Sequence, residues 1–144
     1  MYDLMIIGSG PAGISAALTA KARNLNFIWF GSRALSTKIE KAEKIMNYPG
    51  LPAVTGSEMQ SVFLKQIDDC GITITESQVN SIYDCGGYFA AGADNEIYEA
   101  KAVIMTVGMT TTREIEGEAR LLGCGVSYCA TCDGAFFKNK TVAV

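Results

Sequence analysis

A glycine-rich turn directly after a short apolar run constrains the fold of this chain more than any other sequence feature. Tyr2–Ile7 is apolar and ends in β-branched residues, which predicts a buried strand. The turn Gly8-Ser9-Gly10-Pro11-Ala12-Gly13 follows, and Ile14–Arg23 is then rich in the helix formers Ala and Leu. Phe27–Phe30 is a second apolar run. Strand, turn, helix and strand within about 30 residues predict a βαβ unit.

The spacing of the turn, G-x-G-x-x-G, is typical of a dinucleotide-binding site. Gly8 allows the tight turn, Gly10 lets a pyrophosphate approach the backbone, and Gly13 lets helix and strand pack closely. Pro11 suits the first helical turn, where its missing N–H would have no partner. The six residues of the turn are therefore predicted cofactor-binding residues, with the pyrophosphate on the helix N-terminus. The alternative is a glycine turn that serves packing alone.

The end of the second strand departs from this dinucleotide fingerprint. A carboxylate that binds a ribose hydroxyl is expected about 20 residues after the turn. The sequence has Gly31-Ser32-Arg33 there instead. Ser32 is a candidate to hydrogen-bond the ribose. Arg33 would suit the 2′-phosphate of NADP, or it is a solvated surface residue.

The middle of the chain predicts a helix followed by a small antiparallel meander. Thr55 and Glu58 fit a capping box, and apolar residues at helical spacing follow until Gly71 ends the helix. Short β-like runs separated by turn residues come next: Ile72–Thr75, Gln78–Asp84, Tyr88–Ala91 and Glu96–Tyr98. Lys101–Val107 then predicts a buried strand, and Thr141–Val144 the start of another. The predicted class is α/β, with a Rossmann-like domain that carries a small antiparallel meander.

Composition excludes several functions. The chain of 144 residues has no histidine, so chemistry that depends on imidazole is absent from it. Its net charge is −3 and no basic cluster is present, which argues against a nucleic-acid partner. No apolar run approaches the roughly 20 residues that span a bilayer. Asp3 lies where a signal peptide would be basic, so we expect a cytoplasmic protein without a membrane partner.

A second motif, Cys129-Ala-Thr-Cys132-Asp133, carries the predicted chemistry. The C-x-x-C spacing places two sulfur atoms within reach of a disulfide, and a helix N-terminus there would favour the reactive thiolate. Asp133 is a candidate proton carrier in a chain without histidine. Two alternatives remain: part of a zinc site with Cys124 as a third sulfur, or two inert thiols. No metal site is expected.

Several segments resemble the low-molecular-weight thioredoxin reductases. Gly125–Gly134 is very similar to their redox-active segment, and Tyr2–Gly13 to their FAD-binding start. Asn47-Tyr48-Pro49-Gly50 is similar to their flavin-contacting segment, and Ile104–Gly108 lies where they have a strand end. The resemblance follows the order of the segments along all 144 residues. It adds Asn47 and Gly108 to the candidate cofactor-binding residues.

The resemblance implies an FAD-binding domain over residues 1–109, a linker over 110–114, and the start of a second dinucleotide-binding domain over 115–144. It implies that FAD reduces the Cys129–Cys132 disulfide and that the dithiol reduces a thioredoxin-like protein. Cys132 would face the flavin, Cys129 would attack the substrate disulfide, and Asp133 would act as general acid. Family members are homodimers, so a homo-oligomer is expected.

Departures from the family leave the electron donor open. The usual Gly-Gly-Gln loop is replaced by the charged segment Leu35–Lys44, which is more similar to clostridial-type members that use ferredoxin rather than NADPH. Family members are also longer, so we expect a C-terminally truncated chain that lacks the donor site and is inactive alone with NADPH. Rival hypotheses are a nucleotide-binding or assembly module without flavin turnover, and a thiol-redox protein without flavin.

Overall fold

A computed structural model describes residues 1–109, 116–121, 123–127 and 134–143. Its centre is a five-stranded mixed sheet with the strand order β2-β1-β5-β4-β3. The strands are β1 (Tyr2–Ile7), β2 (Phe27–Phe30), β3 (Val79–Asp84), β4 (Phe89–Ala93) and β5 (Glu96–Met105). The α-helices are α1 (Pro11–Ala22), α2 (Thr37–Glu40), α3 (Gly56–Asp69) and α4 (Glu118–Leu121), and a 3₁₀ helix covers Gly134–Phe137. This arrangement confirms the predicted α/β class.

Strand β5 joins the two halves of the sheet. Its first residues pair antiparallel with β4, and its last residues pair parallel with β1. Ala100 belongs to both ladders, opposite Phe89 on one side and Tyr2 on the other. The prediction of separate strands at Glu96–Tyr98 and Lys101–Val107 was therefore wrong. Only Glu99 and Ala100 lie between those runs, and neither residue breaks a strand.

Residues 4–7 of β1 are buried on both faces of the sheet, which explains why this part of the strand is continuously apolar rather than alternating. Leu4 and Ile6 pack with Trp29 against α1 and α3 in one core. Met5 and Ile7 face the other side, where they pack with Phe30 and the alanines of β4 and β5. The two cores fix the carboxyl ends of β1, β2 and β5 relative to each other.

Local sequence signals fix the boundaries of α3 and the hairpin between β4 and β5. The Thr55 side chain accepts from the backbone N–H of Glu58, and the Glu58 carboxylate accepts from Thr55, so the predicted capping box is confirmed. Gly71 follows the helix at a φ of +60°. The β4–β5 turn consists of Asp94 and Asn95, both with positive φ.

The end of the chain differs from its prediction. Residues 141–143 belong to neither a helix nor a strand, so the expected strand at Thr141–Val144 does not begin in this segment. A strand requires a neighbouring strand for its backbone hydrogen bonds, and the described ranges supply none there. The longest described helix, α3, has 14 residues, and none in these ranges combines the length and apolarity needed to cross a bilayer.

Candidate functional site

The glycine turn lies at the carboxyl edge of the sheet, between the end of β1 and the start of α1. Gly8 has a φ of +111°, and a Cβ atom on it would lie 2.3 Å from the carbonyl oxygen of Thr106. A Cβ atom on Gly13 would lie 2.0 Å from the carbonyl oxygen of Gly8. Neither position has room for a side chain, which explains the first and third glycines of the motif by packing.

Gly10 differs from these two glycines. It is the N-cap of α1 and its φ is −72°. Apart from Gly10 itself and its two chain neighbours, no atom of the described residues lies within 4 Å of the place where a Cβ atom would be. Packing within the described part of the chain therefore does not require a glycine at this position. Among the described residues no side chain caps the helix, so the N–H groups of its first turn have no side-chain acceptor and the space beside Gly10 is open. An anionic group such as a diphosphate fits this space, since the helix dipole is positive there.

Two side chains hold the carbonyl oxygens on the inner side of the turn. The Trp29 indole Nε1 donates to the Gly8 carbonyl oxygen at 2.8 Å. The Thr106 hydroxyl lies 2.9 Å from the Ile7 carbonyl oxygen and 3.0 Å from that of Gly8. Sequence reasoning missed both roles. The available signal was that a tryptophan in a buried strand needs an acceptor for its N–H.

Ser9 links the turn to the segment that follows β2. Its hydroxyl donates to the Leu35 carbonyl oxygen at 3.1 Å and accepts from the Ser32 backbone N–H at 2.9 Å. Gly31 allows this approach, because a Cβ atom there would lie 2.5 Å from the Ser9 Cβ atom. The Ser9 hydroxyl is therefore occupied within the protein, and Ser9 can reach a ligand only through its backbone.

The segment after β2 uses its own backbone donors. Ser32 Oγ accepts from the Ala34 N–H at 3.1 Å, and the Arg33 N–H donates to Glu76 Oε1 at 2.8 Å. The Arg33 guanidinium lies 3.0 Å from each carboxylate oxygen of Asp68. Arg33 is thus a half-exposed surface residue whose guanidinium is engaged in an ion pair, which agrees with the second of the two sequence interpretations.

The charged segment Leu35–Lys44 contains α2 and packs against α3. The Gln60 side-chain amide donates to the carbonyl oxygens of Ala34 at 3.2 Å and Ser36 at 2.7 Å. Gly56 lies so close that a Cβ atom on it would be 1.7 Å from the Ile39 carbonyl oxygen. Lys38 Nζ donates to the carbonyl oxygen of Met109, just beyond β5. The loop is therefore tied to both neighbouring elements.

The remaining predicted residues fall into three groups. Gly108 follows β5 at a φ of +69° and lies at the same sheet edge as Gly8 and Ser32. Asn47 is exposed in the loop before α3, and no hydrogen bond joins it to the glycine turn within the described ranges. Cys129, Cys132 and Asp133 lie outside the described residues. Three other cysteines, Cys70, Cys85 and Cys124, are exposed free thiols.

Comparison with known proteins places these features in a wider context. Residues 2–144 match the family model described as pyridine nucleotide-disulphide oxidoreductase. The chain is 34% identical over 145 residues to a thioredoxin reductase of Bacillus subtilis (strain 168), a match that covers 100% of this chain and 46% of the relative. A bifunctional thioredoxin reductase/thioredoxin of Mycobacterium leprae is 36% identical over 148 residues, covering 100% of this chain and 32% of the relative.

Solved structures give the same result. A ferredoxin-flavin thioredoxin reductase from Clostridium acetobutylicum matches with a TM-score of 0.76 and 46% identity, over 94% of this chain and 47% of that one. A thioredoxin reductase from Streptococcus pyogenes matches with a TM-score of 0.78 and 36% identity, over 95% of this chain and 45% of that one. The chain spans about half the length, or less, of the relatives it matches.

Proposed function

Since the chain belongs to the pyridine nucleotide-disulphide oxidoreductase family, and within it to the thioredoxin reductases, we propose that the intact protein is an FAD-dependent disulfide reductase. Its flavin would reduce a Cys129–Cys132 disulfide, and the resulting dithiol would reduce a thioredoxin-like protein. The observation that carries this proposal is the contrast within the glycine turn. Gly8 and Gly13 are closed by packing, whereas the space at Gly10 is open in front of an uncapped helix N-terminus.

In this proposal the residues of the turn, Gly8 to Gly13, hold the FAD diphosphate through backbone N–H groups and the α1 dipole. Ser32 and Gly108 lie at the same sheet edge and would line the rest of the cofactor, together with Asn47 from the loop before α3. When bound, FAD supplies the electron pair that reduces the disulfide. The remaining chemistry belongs to side chains of the protein.

For the exchange step, the Cys129 thiolate attacks one sulfur of the substrate disulfide and releases the other as a thiolate. The Cys132 thiolate then attacks the Cys129 sulfur, which releases the second substrate sulfur and re-forms the Cys129–Cys132 disulfide. Two electrons pass from the dithiol to the substrate. Asp133 would protonate the leaving thiolate, a role that no histidine can take in this chain.

We propose the division into domains that the sequence predicts. Residues 1–109 would form the FAD-binding domain, 110–114 a linker, and 115–144 the start of a second dinucleotide-binding domain. In support, all five strands and both apolar cores lie within residues 1–109 of the described structure. A stable product of limited proteolysis that ends near residue 110 is the expected result.

Ferredoxin is the electron donor that the charged loop favours over NADPH. The segment Leu35–Lys44 contains α2 and lies against α3 and Met109. The structure from Clostridium acetobutylicum that carries ferredoxin in its name is 46% identical to this chain. Turnover measured in parallel with reduced ferredoxin and with NADPH distinguishes the two donors.

An absorption spectrum of the intact purified protein tests the flavin. Bound oxidised FAD gives a yellow protein, and the flavin bands should bleach when the protein is reduced with dithionite. A protein that is colourless, and remains so after FAD is added, would contradict the proposal. It would favour instead a nucleotide-binding or assembly module.

Self-association is also part of the proposal. Met105, at the end of β5, and Val107, just beyond it, are 63% and 61% exposed, and within the described ranges residues 101–105 of that strand pair only with β1. An open strand edge beside apolar side chains favours association with a second copy. Light scattering on the purified protein should give the mass of a homo-oligomer, and a monomer at micromolar concentration would contradict this.

A further inference from the structure

The carboxylate of Glu76 lies at the carboxyl end of β2, although it is distant from that strand in the sequence. Thr75 forms a parallel bridge with Phe30: its N–H donates to the Trp29 carbonyl oxygen at 2.7 Å, and its own carbonyl accepts from Gly31 at 3.1 Å. Glu76 and Gly31 therefore occupy equivalent positions, each one residue after the bridged pair of Thr75 and Phe30. Its Oε1 atom accepts from the Arg33 N–H at 2.8 Å.

This is the place where the dinucleotide fingerprint expects a carboxylate. In most such sites it belongs to the second strand itself and accepts a hydrogen bond from a ribose hydroxyl. Here that strand is followed by Gly31, Ser32 and Arg33, and none of them is acidic. We propose that Glu76 supplies the missing carboxylate from a different segment of the chain, and that it binds the adenosine ribose of FAD. The inference rests on the proposed FAD site.

The hydrogen bonds around Glu76 support this role. The neighbouring backbone N–H groups are already engaged: Gly31 with Thr75, Ser32 with Ser9, and Arg33 with Glu76 itself. Within the described part of the chain, only Oε1 of Glu76 has a hydrogen-bond partner. Oε2 is therefore the acceptor that this edge of the sheet offers to a hydroxyl group.

The charges also decide between a ribose hydroxyl and a 2′-phosphate. The Arg33 guanidinium is neutralised by Asp68, which lies at 3.0 Å. A phosphate beside Glu76 would meet a carboxylate whose neighbouring guanidinium is already paired with Asp68, and like charges repel at such distances. The edge thus selects an adenosine with a free 2′-hydroxyl, as in FAD, and disfavours the 2′-phosphate of NADP.

Glu76→Gln tests the inference in the intact protein stripped of its flavin. Glutamine keeps an oxygen for the Arg33 N–H but removes the charge and replaces the second acceptor by a donor. Hydrogen bonds to charged groups contribute about 1.5–3 kcal/mol, so the dissociation constant for FAD should rise about tenfold to a hundredfold. The melting temperature of the flavin-free protein should stay unchanged. Glu99→Gln, at an exposed position of β5, is the matched control and should change neither quantity.

ADP and 2′,3′-dideoxy-ADP, used as competitors of FAD, identify the group that Glu76 binds. The wild-type protein should prefer ADP by about tenfold, and Glu76→Gln should remove that preference. Equal competition by both nucleotides in the wild type would overturn the inference, as would unchanged FAD affinity in Glu76→Gln. A lower melting temperature of Glu76→Gln together with an unchanged preference for ADP would show that Glu76 only stabilises the segment that contains Arg33. Failure of the wild type to bind FAD at all would instead contradict the proposed function.

Discussion

The Thr106 hydroxyl contacts the Gly8 carbonyl oxygen at 3.0 Å and would lie 2.9 Å from a Cβ atom placed on Gly13. The end of β5 thus closes the inner side of the glycine turn, while the outer side at Gly10 stays open. One motif therefore combines two different requirements, close packing and access for a ligand. Alanine substitutions at Gly13 and at Gly10 test the packing requirement and the access requirement separately.

Gly13→Ala is expected to lower the stability of the protein, whereas Gly10→Ala is expected to lower its affinity for FAD. The new Cβ atom at Gly13 meets backbone at 2.0 Å, so the flavin-free protein should lose about 3 kcal/mol of unfolding free energy. At Gly10 the Cβ atom meets nothing within 4 Å and φ is −72°, so stability should stay within about 1 kcal/mol of wild type. FAD affinity should nevertheless fall, because the Cβ atom occupies the space of the diphosphate. Urea unfolding and FAD titration of both variants measure the contrast, and equal destabilisation would contradict it.

The contrast also shows what the sequence could predict. Strand β1, the turn, α1, β2 and the capping box of α3 were predicted correctly, since each is encoded by neighbouring residues. The contacts that complete the site join residues far apart in the sequence, such as Trp29 with Gly8 and Arg33 with Glu76. No periodicity or motif encodes such pairs. The single strand β5 was missed for the same reason, because its two halves have different partners.

Only part of the candidate site could be predicted from the sequence. The glycine turn follows from its spacing, but the sequence could not show that the Ser9 hydroxyl and the Arg33 guanidinium are already engaged within the protein. The positions of Cys129, Cys132 and Asp133 relative to the turn stay predictions. Their assignment depends on the C-x-x-C spacing and on similarity to the thioredoxin reductases.

Gln60→Ala should loosen the charged loop without unfolding the protein. The Gln60 amide makes two hydrogen bonds to the carbonyl oxygens of Ala34 and Ser36, and their loss should cost about 1 kcal/mol. Trypsin should then cut faster after Lys38, Lys41 and Lys44, which can be followed by mass spectrometry. Gln66→Ala, an exposed position on the same helix, is the control. Equal cleavage of the two variants would show that Gln60 does not hold the loop.

Asp3→Asn should make the protein less sensitive to acid. The Lys101 ammonium, 2.7 Å away, and the Asn26 N–H lower the pKa of Asp3 below its usual 3.8. A carboxyl whose pKa is lower in the folded state adds stability above pH 3.8, and loses it as the pH falls through its folded value. The stability difference between pH 6 and pH 3 should therefore be smaller in Asp3→Asn than in wild type. Glu43→Gln, at an exposed position without an ion pair in the described ranges, should retain the wild-type difference.

Cys129→Ser and Cys132→Ser should each abolish turnover of the intact enzyme while leaving FAD bound. Both sulfur atoms take part in the exchange cycle, since one attacks the substrate and the other resolves the mixed disulfide. With Cys132→Ser, the mixed disulfide between Cys129 and a thioredoxin-like substrate should accumulate, because no second thiol is present to release it. Asp133→Asn should slow exchange more than it weakens flavin binding, since its proposed role is proton transfer.

The exposed thiols provide the controls for this experiment. Cys70→Ser and Cys85→Ser should retain nearly full turnover, because these exposed thiols, which directly follow α3 and β3, take no part in the proposed exchange cycle. Steady-state disulfide reduction is measured for each variant with reduced ferredoxin and with NADPH, and trapped adducts are identified by mass spectrometry. Normal turnover of Cys132→Ser with either donor would mean that electrons bypass the C-x-x-C pair. Loss of turnover in the control variants would instead indicate that another cysteine belongs to the redox centre.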